Sequence, residues 1–175
     1  FTAYVLNKKE DALKLCKQGI QKYPKDTAFQ ILAMRAAVDT QQFEDALNYA
    51  NAVMNNADIK KNSSIYSYYG LSLAGNKQYD QALAQFNKAL EMNKEDAKPY
   101  QYISETYKQM GEEDKAIEFA QLYMDKNPNA TPSDYVKMAE IYNAKAQKGG
   151  NDKAANVNKA ISVYNSFAAK YPQLK

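Results

Sequence analysis

The 175-residue sequence predicts an all-α protein, an α-solenoid of antiparallel helix pairs. Two observations predict it. One phrase recurs five times: KEDALKLCKQGIQKYP (9–24), FEDALNYANAVMNNAD (43–58), YDQALAQFNKALEMNK (79–94), EDKAIEFAQLYMDKNP (113–128) and VNKAISVYNSFAAKYP (157–172). Aligned on Ala12, Ala46, Ala82, Ala116 and Ala160, the copies are spaced by 34, 36, 34 and 44 residues. A unit of that size cannot bury its apolar face alone and must stack on its neighbours. The second observation lies inside a copy. Tyr79, Ala82, Leu83, Phe86, Ala89 and Leu90 follow at intervals of 3, 1, 3, 3 and 1, which is one apolar stripe of a helix.

The chain then divides into units at about 1–26, 27–62, 63–96, 97–130 and 131–175, forming one solenoid over 1–175. The first unit is partial, and its second helix carries Leu13, Cys16 and Ile20 on one stripe. In the third unit SSIYSYYGLSLAG places Ile65, Tyr66, Tyr69, Gly70 and Leu73 at helical spacing, and NKQ makes the turn into the second helix. Pro24, Pro128 and Pro172 each follow the aligned alanine by twelve residues and end a second helix, because proline disfavours helical geometry in the residue before it. The fifth unit has an insertion near 143–156, read as lengthened helices joined by a loop at 148–152. Gly149 and Gly150 end one helix there, and Asn151 or Asp152 caps the next.

This pattern resembles the tetratricopeptide repeat. Tyr66, Tyr69, Gly70, Leu73, Tyr79, Ala82, Phe86 and Ala89 carry the likeness in unit three, and Tyr100, Ile103, Tyr107, Gly111, Ala116 and Pro128 in unit four. The resemblance implies a right-handed superhelix. It also explains the small residues at Gly70, Ser104 and Ala139 and at the five aligned alanines: helices cross closely there, and a larger side chain would overpack the crossing. Departures matter too. Unit one lacks most of its first helix, so the sequence is expected to begin inside a longer array, or to have that helix supplied by residues outside it. Met34 stands where a small residue is usual, and two residues are added around NNADIKK (55–61). Glu113 stands where an aromatic is usual and Tyr123 where alanine is usual, so packing in unit four should be looser or rearranged.

Composition excludes several chemistries. Without histidine there is no Ser-His, Cys-His or His-metal site, and Cys16 alone makes neither a disulfide nor a cysteine-rich zinc site. Glu112, Glu113 and Asp114 sit at a helix start, where acids suit the helix dipole, and KGGND lacks phosphate-loop spacing. No cofactor, no metal and no enzymatic activity are expected; a Lys or Tyr acid–base pair is the one chemistry left. A net charge of +3 is too small to argue for nucleic acid. No apolar run approaches the ~20 residues of a membrane helix. Charge is uneven: 143–175 carries six lysines and one acid (+5), and 91–125 carries nine acids and four lysines (−5). Tyr164 and Phe167, near the basic end, fall at packing positions. Lys-, Asn- and Tyr-rich, Arg-poor usage is that of an AT-rich bacterial genome. The compartment stays open between cytoplasm and periplasm, since residue 1 is not Met and a leader could have been removed.

In the resembling family the first helices line a concave groove. The corresponding residues here are Ala28, Ile31, Leu32 and Arg35; Ser64, Ser67, Tyr68 and Leu71; Lys98, Gln101, Tyr102 and Glu105; and Ser133, Val136, Lys137 and Glu140. From these the expected groove residues are Ile31, Leu32, Arg35, Tyr68, Leu71, Lys98, Gln101, Tyr102, Glu105 and Lys137. A subgroup of the family clamps acidic chaperone tails with lysine, asparagine and arginine. Here Ile31, Arg35, Tyr68 and Tyr102 occupy clamp places and only Lys98 survives, so no carboxylate clamp is expected. The expected function is a non-enzymatic scaffold binding a peptide or partner protein in the groove. The alternative is a structural spacer or self-association module within a larger protein, with a homo-oligomer as the partner.

Overall fold

A computed structural model describes residues 8–55 and 61–174. Among them are nine α-helices and no strand: α1 (Lys9–Lys22), α2 (Thr27–Asp39), α3 (Phe43–Met54), α4 (Ser63–Gly75), α5 (Tyr79–Met92), α6 (Ala97–Met110), α7 (Glu113–Lys126), α8 (Pro132–Gln147) and α9 (Lys153–Lys170), followed by a 3-10 turn at Pro172–Leu174. The missing first helix of unit one and residues 56–60 of the NNADIKK stretch lie outside the described residues. Packing divides the chain into two compact units, 1–94 and 95–175. In the first, α2 pairs with α3 and α4 with α5, while α1 lies on α2 and α3 on α4; in the second, α6 pairs with α7, α8 with α9, and α7 lies on α8.

Local chemistry sets the helix boundaries. Asp26, Asn62 and Asp96 precede α2, α4 and α6, and each side chain accepts a hydrogen bond from the N–H two residues on. Before α8, Asp134 returns to accept from the Thr131 N–H at 2.7 Å and its hydroxyl at 2.8 Å. Helices α1, α7 and α9 stop at Lys22, Lys126 and Lys170, two residues short of Pro24, Pro128 and Pro172. Turns inside the hairpins use a left-handed residue: Gln41 (φ 59°), Lys77 (φ 61°) and Gly111 (φ 76°). The N–H that follows each reaches back to the carbonyl of Ala37, Leu73 or Tyr107, closing the end of the preceding helix.

The small residues lie at tight crossings. Ala46, Ala82, Ala116 and Ala139 have no exposed surface, and Ala12 and Ala160 nearly none. A methyl group added at Gly70 would fall 2.4 Å from the ring of the fully buried Phe86. Ser104 donates its hydroxyl to the Ala116 carbonyl at 2.7 Å, so its polar atom is satisfied inside the α6–α7 crossing. Met34 is fully buried in a cluster with Ala50, Val53 and Ile65. Glu113 shows how unit four is rearranged. Its counterpart Phe43 packs on Gly75, whereas Glu113 pairs with Lys148 at 2.6 Å. Lys148 draws that carboxyl below its ordinary value.

The inserted residues lie in α8 and α9, of 16 and 18 residues, and in the short link between them. Gly149 and Gly150 both have positive φ in that link. Asp152 stands at the cap position of α9, but its side chain makes no capping hydrogen bond, because its own backbone is not extended (ψ 5°). Tyr164 is also a correction to the sequence expectation. It is 39% exposed rather than packed, since α9 turns only its Asn156–Ala160 side firmly into the core.

Candidate functional site

The expected site residues fall into two sets, one per unit. In the first unit, Ile31 and Tyr68 pack on the Met34 cluster, and Leu32 packs on the cluster of Leu13, Cys16 and Ala33. The Arg35 guanidinium lies 5.2 Å from the centre of the Tyr68 ring. Leu71 is half-buried. Much of this set therefore serves packing.

In the second unit, Gln101, Tyr102, Glu105 and Lys137 come together around one cavity of about 410 Å³. Helix α6 contributes Gln101, Tyr102, Ser104, Glu105 and Lys108; α7 contributes Ala120, Tyr123 and Met124; α8 contributes Asp134, Lys137, Met138, Glu140 and Ile141. Lys98, in the first turn of α6, is exposed and stands apart from it. Sequence reasoning missed the α7 contribution, because groove residues were sought on first helices alone. The signal was Tyr123, aligned with Ala89, which is fully buried in the preceding copy.

Tyr123 organises the depth of this cavity. Its hydroxyl accepts from the Asn127 side-chain amide at 2.8 Å and bonds Asp134. Burial, then the Asp134 charge, pushes the phenol up to about 12, so it remains a protonated donor at neutral pH. At the rim, Lys108 and Glu140 pair across α6 and α8 at 3.6 Å.

Other features are structural. Cys16 is buried, and burial pushes its thiol up, away from nucleophilic reactivity. Among the described residues no three His, Cys, Asp or Glu side chains gather to hold a metal. No described helix is long and apolar enough to cross a membrane. The aromatics at the basic end form an internal cluster: Phe167 lies 6.1 Å from Tyr135 and 5.6 Å from Tyr171.

Paired antiparallel helices with small residues at their crossings define a helical-repeat protein of the tetratricopeptide type. A sequence model of the tetratricopeptide repeat matches residues 73–141. The chain belongs to the tetratricopeptide-repeat family. It is 33% identical over 127 residues to the Photosystem I assembly protein Ycf3 of Prochlorococcus marinus subsp. pastoris, covering 64% of this chain and 73% of that protein. Among solved structures, a MamA protein matches with a TM-score of 0.73 at 16% identity, over 98% of this chain and 87% of the other. A thermophilic TPR protein of Thermus thermophilus matches at 0.67 and 19% identity, over 96% and 93%. At such identities the structural matches establish the fold. The family is one of protein–protein interaction scaffolds, generally without enzymatic activity.

Proposed function

We propose that the chain binds an extended or helical segment of a partner protein on its first-helix surface, through Tyr102, Gln101, Glu105 and Lys137. The observation that supports this is their convergence on one cavity with apolar and aromatic side chains in its lining. A rigid aromatic at such a mouth is a good anchor, worth ~2 kcal/mol or more. In the first unit, half-buried Arg35, Leu71 and Tyr68 offer a second patch. An acidic chaperone tail is not the proposed partner, because Lys98 stands without the other clamp residues. The test uses Tyr102→Ala and Tyr68→Ala separately, with folding checked by circular dichroism. Proteins retained from the native extract by the parent chain should be lost on Tyr102→Ala. Retention of every partner by both folded variants would overturn the proposal.

A second reading, self-association, is favoured by α9. Ile161 is 50% exposed, and Val157 and Tyr164 continue the same apolar stripe on that helix. Light scattering over a concentration series, with Ile161→Lys for comparison, tests it. A chain that stays monomeric throughout would dismiss this reading.

A further inference from the structure

Resting on the groove reading, we infer that the second-unit cavity is an anchor pocket for one large apolar side chain of a peptide, flanked there by one acidic and one basic residue. Three observations carry this. The polar atoms in its depth are already satisfied within the protein. Ser104 donates to the Ala116 carbonyl at 2.7 Å. Tyr123 is held between Asn127 and Asp134, and Asp134 is also bonded to both the N–H and the hydroxyl of Thr131. A polar anchor would lose its water without gaining a partner, and an apolar one would not.

The remaining depth is apolar and adaptable. Met124, Met138 and Ile141 line it, and unbranched, polarisable methionine reshapes around different occupants. Its volume of about 410 Å³ leaves room for an aromatic or long aliphatic side chain.

The rim sets the flanking charges. Lys108 and Glu140 are paired with each other at 3.6 Å. That leaves Lys137 on α8 and Glu105 on α6, both exposed, with no ion pair among the described residues. A peptide with an acidic residue toward Lys137 and a basic one toward Glu105 complements both, in one chain direction only.

The experiment titrates the whole chain, with isotope-labelled methionine methyls, against capped peptides Gly-Ser-Lys-Xaa-Glu-Ser-Gly and Gly-Ser-Glu-Xaa-Lys-Ser-Gly, where Xaa is Met, Leu, Phe, Ala or Ser. Met, Leu or Phe should bind roughly tenfold or more tighter than Ser, moving the Met124 and Met138 methyl signals. One charge order should be preferred about threefold. Because both rim residues are exposed, the double variant Glu105→Lys with Lys137→Glu should fold and invert that preference. Equal binding of Ser and Met peptides, shifts confined to other methionines, or no binding up to peptide solubility would each overturn the pocket. The groove reading is judged apart, by the extract partners of Tyr102→Ala. Partners lost there while these peptides fail would leave the groove standing and remove the pocket.

Discussion

Gly70 is where a missing side chain matters most. With Phe86 packed against its Cα, Gly70→Ala must displace a ring that has no exposed surface and nowhere to go. We expect a loss of about 1–3 kcal/mol, seen as a lower urea midpoint at unchanged m-value. Lys77 is the opposite case. It holds a left-handed backbone (φ 61°) in a turn where unit four has Gly111. Lys77→Gly should stabilise the chain by roughly 0.5 kcal/mol, the relief of strain exceeding the added freedom of the unfolded state. Tyr123 gives a pH test. Its folded value, about 12, lies above its ordinary 10. The neutral phenol is therefore favoured by folding. This contribution is complete below pH ~10 and is lost as pH rises toward ~12. The stability difference between the parent and Tyr123→Phe should shrink over that window. A constant difference across it would show that the phenol is not held as described.

Among the elements, α7 and α8 show how one departure is absorbed by another. Where Phe43 wedges against Gly75, Glu113 takes Lys148 instead, and the same lysine donates to the Gly111 carbonyl at 3.1 Å. Glu113 is drawn below its ordinary 4.5, so its contribution holds above that pH and fades as acid protonates it. Lys148→Met should cost less than about 1 kcal/mol near pH 7, since the lysine is largely in solvent, and that cost should vanish in acid. Helix α9 packs on α8 and, of its 18 residues, buries only Asn156 and Ala160. Its amides should exchange with solvent faster than those of α8, as measured by hydrogen exchange. Equal protection would mean that its apolar stripe is covered in solution.

At the scale of the whole molecule, the charge asymmetry of the sequence proves partly internal. Acids in the first turn of α7 meet lysines at the C-terminal end of α8 in the pairs Glu113–Lys148 and Asp114–Lys145, so two of the lysines counted toward the basic end neutralise acids of the negative run. The long-range field is weaker than residue counting implies.

Helix periodicity, the recurring alanines and the terminating prolines made the architecture legible from the sequence, because each follows from local geometry repeated at a fixed period. The places of Gln101, Tyr102, Glu105 and Lys137 on first helices followed from the same register, whereas their reading as groove residues came from the resemblance to the tetratricopeptide repeat. Tertiary structure alone decided which of the ten expected residues share a cavity and which pack against a core cluster, as Ile31 and Leu32 do. It also decided that Tyr123, Met124 and Met138 furnish the depth of that cavity, and that Tyr164 faces solvent. A side chain's register is set by its own helix, whereas its exposure depends on which neighbouring helix covers it.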